Sequence, residues 1–244
     1  MIRRFLHKYL SVEKRVSLRN FIQWVFAIPY RNDLNKLAII YESDKFGHHN
    51  YTPFYSKHFK EKKKNRIKIF EIGVGGYETT YLGGNSLRMW RDYFPQSTIT
   101  ALDIFDKAPL NSKRVKILQG SQDDGETLNF VNNSSGPFDI IIDDGSHINA
   151  HVIHSFFHLF PLLNPAGIYA VEDTLTSYHE EFGGSFENRD DSSTMMGFFK
   201  NLIHGINHES FPPNDLDINY FTTHIESIHF YKDLVIIHKK PIVN

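Results

Sequence analysis

Four acids and a histidine stand at the ends of two apolar runs. Phe138-Asp139-Ile140-Ile141-Ile142-Asp143-Asp144-Gly145-Ser146-His147 reads as a short buried strand. It stops at two carboxylates, a glycine, a serine suited to cap a helix, and an imidazole. Further on, Gly167-Ile168-Tyr169-Ala170-Val171-Glu172-Asp173 repeats the plan of apolar strand and paired acids. Open α/β folds bind ligands beyond the carboxyl ends of their parallel strands. Two acid-tipped strands side by side would bring up to four carboxylates into one crevice, a density that demands a cation or shifted protonation. The residue types therefore point to a divalent metal with a titratable base, His147, beside it.

A second set of residues suits an adenosyl group. Ile67-Lys68-Ile69-Phe70-Glu71-Ile72-Gly73 reads as a first parallel strand, and Gly73-Val74-Gly75-Gly76 follows it, allowing close backbone approach to a ligand. Glu78 stands where a dinucleotide fingerprint places its last glycine, and no Lys-Ser or Lys-Thr pair follows, so a pyrophosphate loop and a phosphate-cradling loop both fit poorly. A cofactor with a methionine tail and no phosphates fits better. Asp103, at the tip of a second strand over Ser97–Asp103, can accept from both ribose hydroxyls. Ser121, Gln122 and Asp123 follow a third strand, Arg114–Gly120, where adenine would lie. Asp143 can accept from the ammonium of the methionine moiety.

The chain has 244 residues, 41% of them hydrophobic, with a net charge of -1. That length suits one large α/β domain with a small appendage and a substantial core. The charge gives no global basic field for nucleic acid. There is no cysteine, which excludes disulfides, thiolate zinc sites, iron–sulfur clusters and cysteine nucleophiles. Met1-Ile2-Arg3-Arg4-Phe5-Leu6-His7-Lys8 is basic and apolar but lacks the apolar run and cleavage site of a signal peptide. Phe21-Ile22-Gln23-Trp24-Val25-Phe26-Ala27-Ile28-Pro29 is shorter than the ~20 residues that span a bilayer, so it reads as a packing or self-association helix, with a membrane-surface segment as the alternative.

In chain order, residues 1–42 predict a helical appendage broken at Pro29. Glu42 to Tyr55 has no period and reads as an ordered loop, and Lys57 to Lys68 reads as a solvated basic helix end. Ser86 is placed to cap a helix bearing Leu87, Trp90 and Phe94, and Ser146 to start one through Val152, Phe156 and Phe160. The strand–helix alternation predicts a doubly wound α/β fold with a mainly parallel seven-stranded sheet. His224 to Tyr231 and Leu234 to Lys239, separated by Lys232-Asp233, predict a closing antiparallel hairpin. That ending is the class I methyltransferase, Rossmann-like variant. Residues 43–244 would form this domain, with a lid-like insertion over about 177–219 that includes a helix near Met195 to Ile206.

With these residues in place, the chain resembles metal-dependent class I S-adenosylmethionine sugar O-methyltransferases, notably the macrolide-sugar enzymes of mycinamicin and tylosin biosynthesis. The pieces that carry the resemblance are Ser43-Asp44-Lys45 with His49-x-Tyr51-x-x-x-Tyr55, Glu71-Ile72-Gly73-Val74-Gly75-Gly76, Gly84-Asn85-Ser86-Leu87, Asp143-Asp144-Gly145-Ser146-His147, and Glu172-Asp173-Thr174-x-Thr176-Ser177-Tyr178. The resemblance implies magnesium held by Asp144, Glu172 and Asp173, with His147 as catalytic base. The expected S-adenosylmethionine contacts are Glu71, Gly73, Gly75, Ser86, Asp103, Ser121, Gln122, Asp123 and Asp143. Magnesium coordination would lower the pKa of a sugar hydroxyl, and His147 would take its proton before the oxygen attacks the sulfonium methyl. Tyr51, Tyr55 and Tyr178 are candidates to line the acceptor pocket, with core packing as their alternative.

The expected acceptor is a glycosylated natural product or a surface glycan, in the cytoplasm, without nucleic acid. The expected assembly is a homo-oligomer, with peripheral membrane contact through the N-terminus as a further expectation. Methyl transfer to nitrogen or another small acceptor, and adenosyl binding without catalysis, are the competing readings. His147 and His151 are four apart, but Ile148 occupies the place of a zinc protease's glutamate, which disfavours zinc hydrolysis.

Overall fold

The computed structural model describes residues 10–212 and 218–242. The basic run Met1 to Lys8, and residues 213–217 of the expected insertion, lie outside the described residues. Helix α1 spans Val12–Ala27, a short 3-10 turn over Ile28–Tyr30 carries Pro29, and α2 spans Leu34–Tyr41. Ser11 caps α1 by accepting from the Lys14 N–H, and Asp33 caps α2 by accepting from the Lys36 N–H at 3.0 Å. The break at Pro29 falls where the sequence puts it. The expected loop ends earlier than its composition suggests: Thr52–Phe59 is a helix, α3, with Pro53 in its first turn, where a missing N–H costs nothing.

Strands follow at β1 (Lys68–Ile72), β2 (Thr98–Asp103), β3 (Val115–Gln119), β4 (Ile140–Asp143) and β5 (Ile168–Glu172). Helices α4 (Asn85–Tyr93), α5 (Gly125–Ser135) and α6 (Asn149–Leu159) alternate with them. After α7 (Met195–Ile206) and α8 (Tyr220–His224), strands β6 (Ile225–Tyr231) and β7 (Leu234–Lys239) form the hairpin, with Asp233 at φ 58° in its turn. The sheet has seven strands in the order β3-β2-β1-β4-β5-β7-β6. The β1–β4 and β4–β5 pairs are parallel, and β7 runs antiparallel to both β5 and β6. Chain order reverses between β1 and β4, the place where such sheets open a crevice.

Contacts divide the chain into two compact units: Met1–Arg66 with Val74–Ala101 and Phe105–Gln119, and Ile67–Gly73 with Leu102–Ile104 and Gly120–Asn244. In the first, Tyr55 stacks on Phe59 at 4.9 Å and meets the Trp90 ring edge-on at 5.3 Å. The α4 cap differs from the sequence reading. Gly84, at φ 65°, is the N-cap, and Ser86 already lies within the helix. In the second unit, Phe156 of α6 packs its ring against Tyr169 of β5 at 5.1 Å and against Phe199 of α7 at 5.2 Å. Ile140, Ile141 and Ile142 are buried, so β4 is covered on both faces and its tip is held rigidly.

Candidate active site at the tips of β4 and β5

Side chains alternate along a strand, and the two acids at the tip of β4 face different ways. Asp143 turns inward. It is 1% exposed, and its carboxylate accepts from Gln122 Nε2 at 3.1 Å, from the Ser155 hydroxyl of α6, and from the Tyr169 hydroxyl at 3.4 Å. Burial raises its pKa to about 6, against the opposing pull of those hydrogen bonds. Asp144, one residue on, turns outward and stays half-buried.

The outward group is compact. His147 Nε2 lies 4.0 Å from Asp144 Oδ1 and 3.6 Å from Asp173 Oδ2. One donor atom from each of the three residues lies within 4.8 Å of the others. Glu172 precedes Asp173 on β5, is 2% exposed, and is not one of these three. The candidate metal group among the described residues thus holds two carboxylates and an imidazole.

Backbone geometry places them. Asp173 (φ 53°) and His147 (φ 56°) are both left-handed, which turns each side chain out of the path of its strand. Thr176 Oγ1 donates to the His147 carbonyl at 2.9 Å and to the Asp173 carbonyl at 3.1 Å, joining the two turns. Asn149 Nδ2 donates to the Thr176 and Phe182 carbonyls at 3.1 and 2.9 Å, and its Oδ1 accepts from the Met195 N–H at 2.6 Å. The sequence reading did not single out Asn149 or Ser155, and it quoted Thr176 and Tyr169 only as members of their motifs, with no role. Ser146 does not cap α6, which begins at Asn149 behind a non-capping Ile148. Instead its hydroxyl pairs with His151 Nδ1 at 3.1 Å, and its N–H donates to Gln122 Oε1 at 2.7 Å.

The residues expected around the adenosyl group are distributed between the two units. In the second unit, Asp103 is half-buried at the tip of β2, Ser121 and Asp123 sit in the turn after β3, and Glu71 is buried within β1. Gln122 is buried and bridges Asp143 to Ser146, so both ends of its amide are committed. Gly73, at φ 93°, brings the end of β1 against the β4 turn; a Cβ there would lie 2.0 Å from the Asp144 carbonyl oxygen. In the first unit, Gly75 is at φ 75° with open space where a Cβ would be, and Ser86 lies buried in α4. Tyr51 and Tyr55 are interior aromatics of that unit, and Tyr178 is half-buried at the end of the 3-10 turn Thr174–Tyr178.

The donor set fits a hard divalent ion. Magnesium takes six oxygens at about 2.0–2.1 Å, which puts neighbouring ligand atoms about 3 Å apart and opposite ones about 4.2 Å apart. Groups within 4.8 Å of one another need only small side-chain rotations to meet those spacings. Two carboxylates supply hard oxygen donors, and an imidazole beside them supplies a base.

No family model matches the chain. It is 42% identical over 209 residues to the mycinamicin VI 2''-O-methyltransferase of Micromonospora griseorubida, covering 85% of this chain and 52% of that protein. It is 39% identical over 209 residues to the demethylmacrocin O-methyltransferase of Streptomyces fradiae, covering 85% and 53%. The crystal structure of the MycE methyltransferase of the mycinamycin pathway with Mg and SAH superposes with a TM-score of 0.83 at 41% identity, covering 86% of this chain and 55% of that one. The chain spans about half the length of the curated relatives it matches.

Proposed function

Because the chain is a homologue of sugar O-methyltransferases and has the class I methyltransferase fold, we propose that it transfers a methyl group from S-adenosylmethionine to a sugar hydroxyl. The acceptor is a glycosylated natural product or a surface glycan. The observation that carries this reading is the group Asp144, His147 and Asp173 at the tips of β4 and β5.

Asp144, Glu172 and Asp173 would hold magnesium. The bound ion would supply Lewis acidity toward a sugar hydroxyl. The protein's own residues do the rest. His147 Nε2 takes the hydroxyl proton, and the two carboxylates face the positive charge that forms on the ring. Glu71, Gly73, Asp103, Ser121, Gln122, Asp123 and Asp143 of the second unit, and Gly75 and Ser86 of the first, are assigned to the methyl donor. Much of the acceleration then comes from orientation of two bound reactants, a contribution on the order of 7–11 kcal/mol at its largest.

Residues 177–219 act as a lid over the acceptor, a reading supported by the clasp that Asn149 makes with Phe182 and Met195. Tyr178 lies at the start of that segment and supplies acceptor contact. Helix α1 leaves Phe21 59% and Phe26 63% exposed, which supports self-association through the N-terminal helices, with a peripheral membrane contact as the alternative. Among the described residues no helix is long and apolar enough to cross a membrane. A cytoplasmic site of action accords with S-adenosylmethionine as the donor.

The test is methyl transfer from labelled S-adenosylmethionine to a panel of glycosylated acceptors, with product analysis by mass spectrometry and NMR. An O-methyl sugar is the expected product. Methylation at nitrogen, or tight cofactor binding with no turnover on any acceptor, would reject the reading.

A further inference from the structure

A cavity of about 550 Å³ opens within the first unit, between α1, α4 and the chain leading into β3. That volume falls in the range of small-molecule pockets, roughly 300–1,000 Å³. None of the residues assigned above to donor, metal or acceptor lines it. Val16, Leu87, Leu110 and Val115 give it an aliphatic wall, and Arg88 reaches it from α4.

Arg88 is the unusual feature. It is 7% exposed; among the described residues it forms no ion pair, and Glu42 acts on it only through its field. Its two terminal nitrogens donate to neutral groups, the Gly83 carbonyl at 3.1 Å and the Asn85 side-chain oxygen. Its Nε is buried with no acceptor. The Tyr41 ring, 5.9 Å from Cζ, offers weak cation–π compensation. By contrast, neighbouring Arg91 is neutralised by Asp92 at 2.9 Å. Burial, then the charges of Arg19 and Arg91, hold the Arg88 guanidinium down at about 10. Burying a charge without a partner is costly, so this cation sits where an anion would relieve it. Asn20, also lining the cavity, has a buried Oδ1 with no donor. The cavity thus holds an unmatched charged donor, an unmatched acceptor and an apolar wall. Glu13 is the acid on its rim; it is exposed and accepts from the Tyr81 hydroxyl.

We propose that this cavity binds an organic phosphate, with the phosphate on Arg88, a hydroxyl or amine on Asn20, and the organic body against the aliphatic wall. Guanidinium is the side chain best matched to phosphate oxygens, and a body of that size fills what inorganic phosphate would leave empty. The phosphate ester comes either from a soluble metabolite or from a lipid headgroup.

The full chain is titrated with inorganic phosphate and diphosphate by calorimetry and thermal shift, against chloride at equal ionic strength. Saturable binding to one site is expected, weakened by about tenfold or more in Arg88→Gln. Leu110→Trp, which fills the cavity and leaves the Arg88 side chain itself unchanged, should abolish it, and decides the matter if Arg88→Gln does not fold. Flotation with phosphatidic acid vesicles against phosphatidylcholine vesicles separates the sources. Arg88-dependent flotation that diphosphate competes away marks a lipid headgroup, and saturable diphosphate binding without flotation marks a soluble ligand. Absence of phosphate and diphosphate binding, or binding that both variants leave unchanged, overturns the proposal.

Discussion

His147 Nε2 lies 3.6 Å from Asp173 Oδ2, and this places the ring of one strand's turn beside the carboxylate of the next. Nε2 is the ring nitrogen turned toward the two carboxylates. Replacing His147 with Ala should lower kcat by about 10²–10⁴-fold, the usual worth of a positioned general base, while S-adenosylmethionine affinity changes little. Steady-state kinetics with calorimetry on the same samples checks this. An unaltered kcat would remove the base assignment.

Metal dependence separates the two carboxylates from ordinary turn-capping acids. Methyl transfer should vanish in EDTA and return with magnesium. Asp144→Asn and Asp173→Asn should each weaken magnesium binding measured by calorimetry, and leave S-adenosylmethionine binding nearly intact. Full activity in chelator would end the metal reading. A crystal soaked in magnesium chloride tests Glu172 directly, since its oxygen should appear within about 2.0–2.1 Å of the ion.

Gln122 was read from sequence as an adenine contact, and the fold gives it a second load. Its amide donates to Asp143 and accepts from the Ser146 N–H, tying the β3 turn to the loop that carries Asp144 and His147. Gln122→Ala leaves a buried carboxylate short of a donor and a backbone N–H short of an acceptor. The expected cost is about 2–3 kcal/mol of stability in chemical denaturation. Gln122→Glu replaces the donating end with a second acid against Asp143 and should cost more.

Much of the architecture was written in periodicity. The β4 run Ile140–Ile142, the helix Met195–Ile206 and the Lys232-Asp233 turn stand where hydrophobic pattern and turn chemistry put them. Cap positions were less legible, because a serine near a helix start competes with local alternatives. Ser146 bonds to His151 and Gln122 through different atoms, and Gly84 outcompetes Ser86 because a left-handed cap needs no Cβ. Facing was the largest gap. Paired acids look equivalent in sequence, yet strand alternation sends Asp143 into the core and Asp144 outward. The clasp at Asn149 was invisible because its partners, Thr176, Phe182 and Met195, are far apart in sequence and engage through backbone groups.

Lys239 tests a purely structural charge. Its ammonium donates to the Phe160, Pro161 and Leu163 carbonyls at 3.2, 2.9 and 2.6 Å, closing the end of α6. Burial lowers its pKa to about 8. A depressed lysine pKa means the unfolded chain binds the extra proton between about 8 and 10.5, so this group adds to stability as pH rises through that window. Below pH 8 the charged form remains and the three carbonyls depend on it. The loss of three hydrogen bonds opposes relief of the burial penalty, so Lys239→Met should destabilise less at pH 7 than at pH 9.5, where wild-type Lys239 is largely neutral, read from urea denaturation, with kcat on the residual folded protein unchanged. Equal effects at the two pH values would contradict the lowered pKa.

Gly73 joins the fold to the chemistry most tightly. Its φ of 93° is open to glycine and strained for any other residue, and a Cβ would lie 2.0 Å from the Asp144 carbonyl oxygen. The Asp144 N–H in turn donates to the Ile72 carbonyl at 3.0 Å, so the end of β1 and the turn after β4 move together. Gly73→Ala must push the Asp144 backbone away and so swing its carboxylate off the position it shares with Asp173. The loss should appear in two readouts: a stability drop of about 2–4 kcal/mol, and weakened magnesium binding in whatever fraction folds. Gly183→Ala is the control. It also has a left-handed φ, 74°, but nothing lies within 4 Å of its Cβ position. It should cost about 1–2 kcal/mol and leave magnesium binding alone. Equal effects of the two substitutions on metal affinity would show that backbone strain by itself, and not the contact with Asp144, disturbs the site.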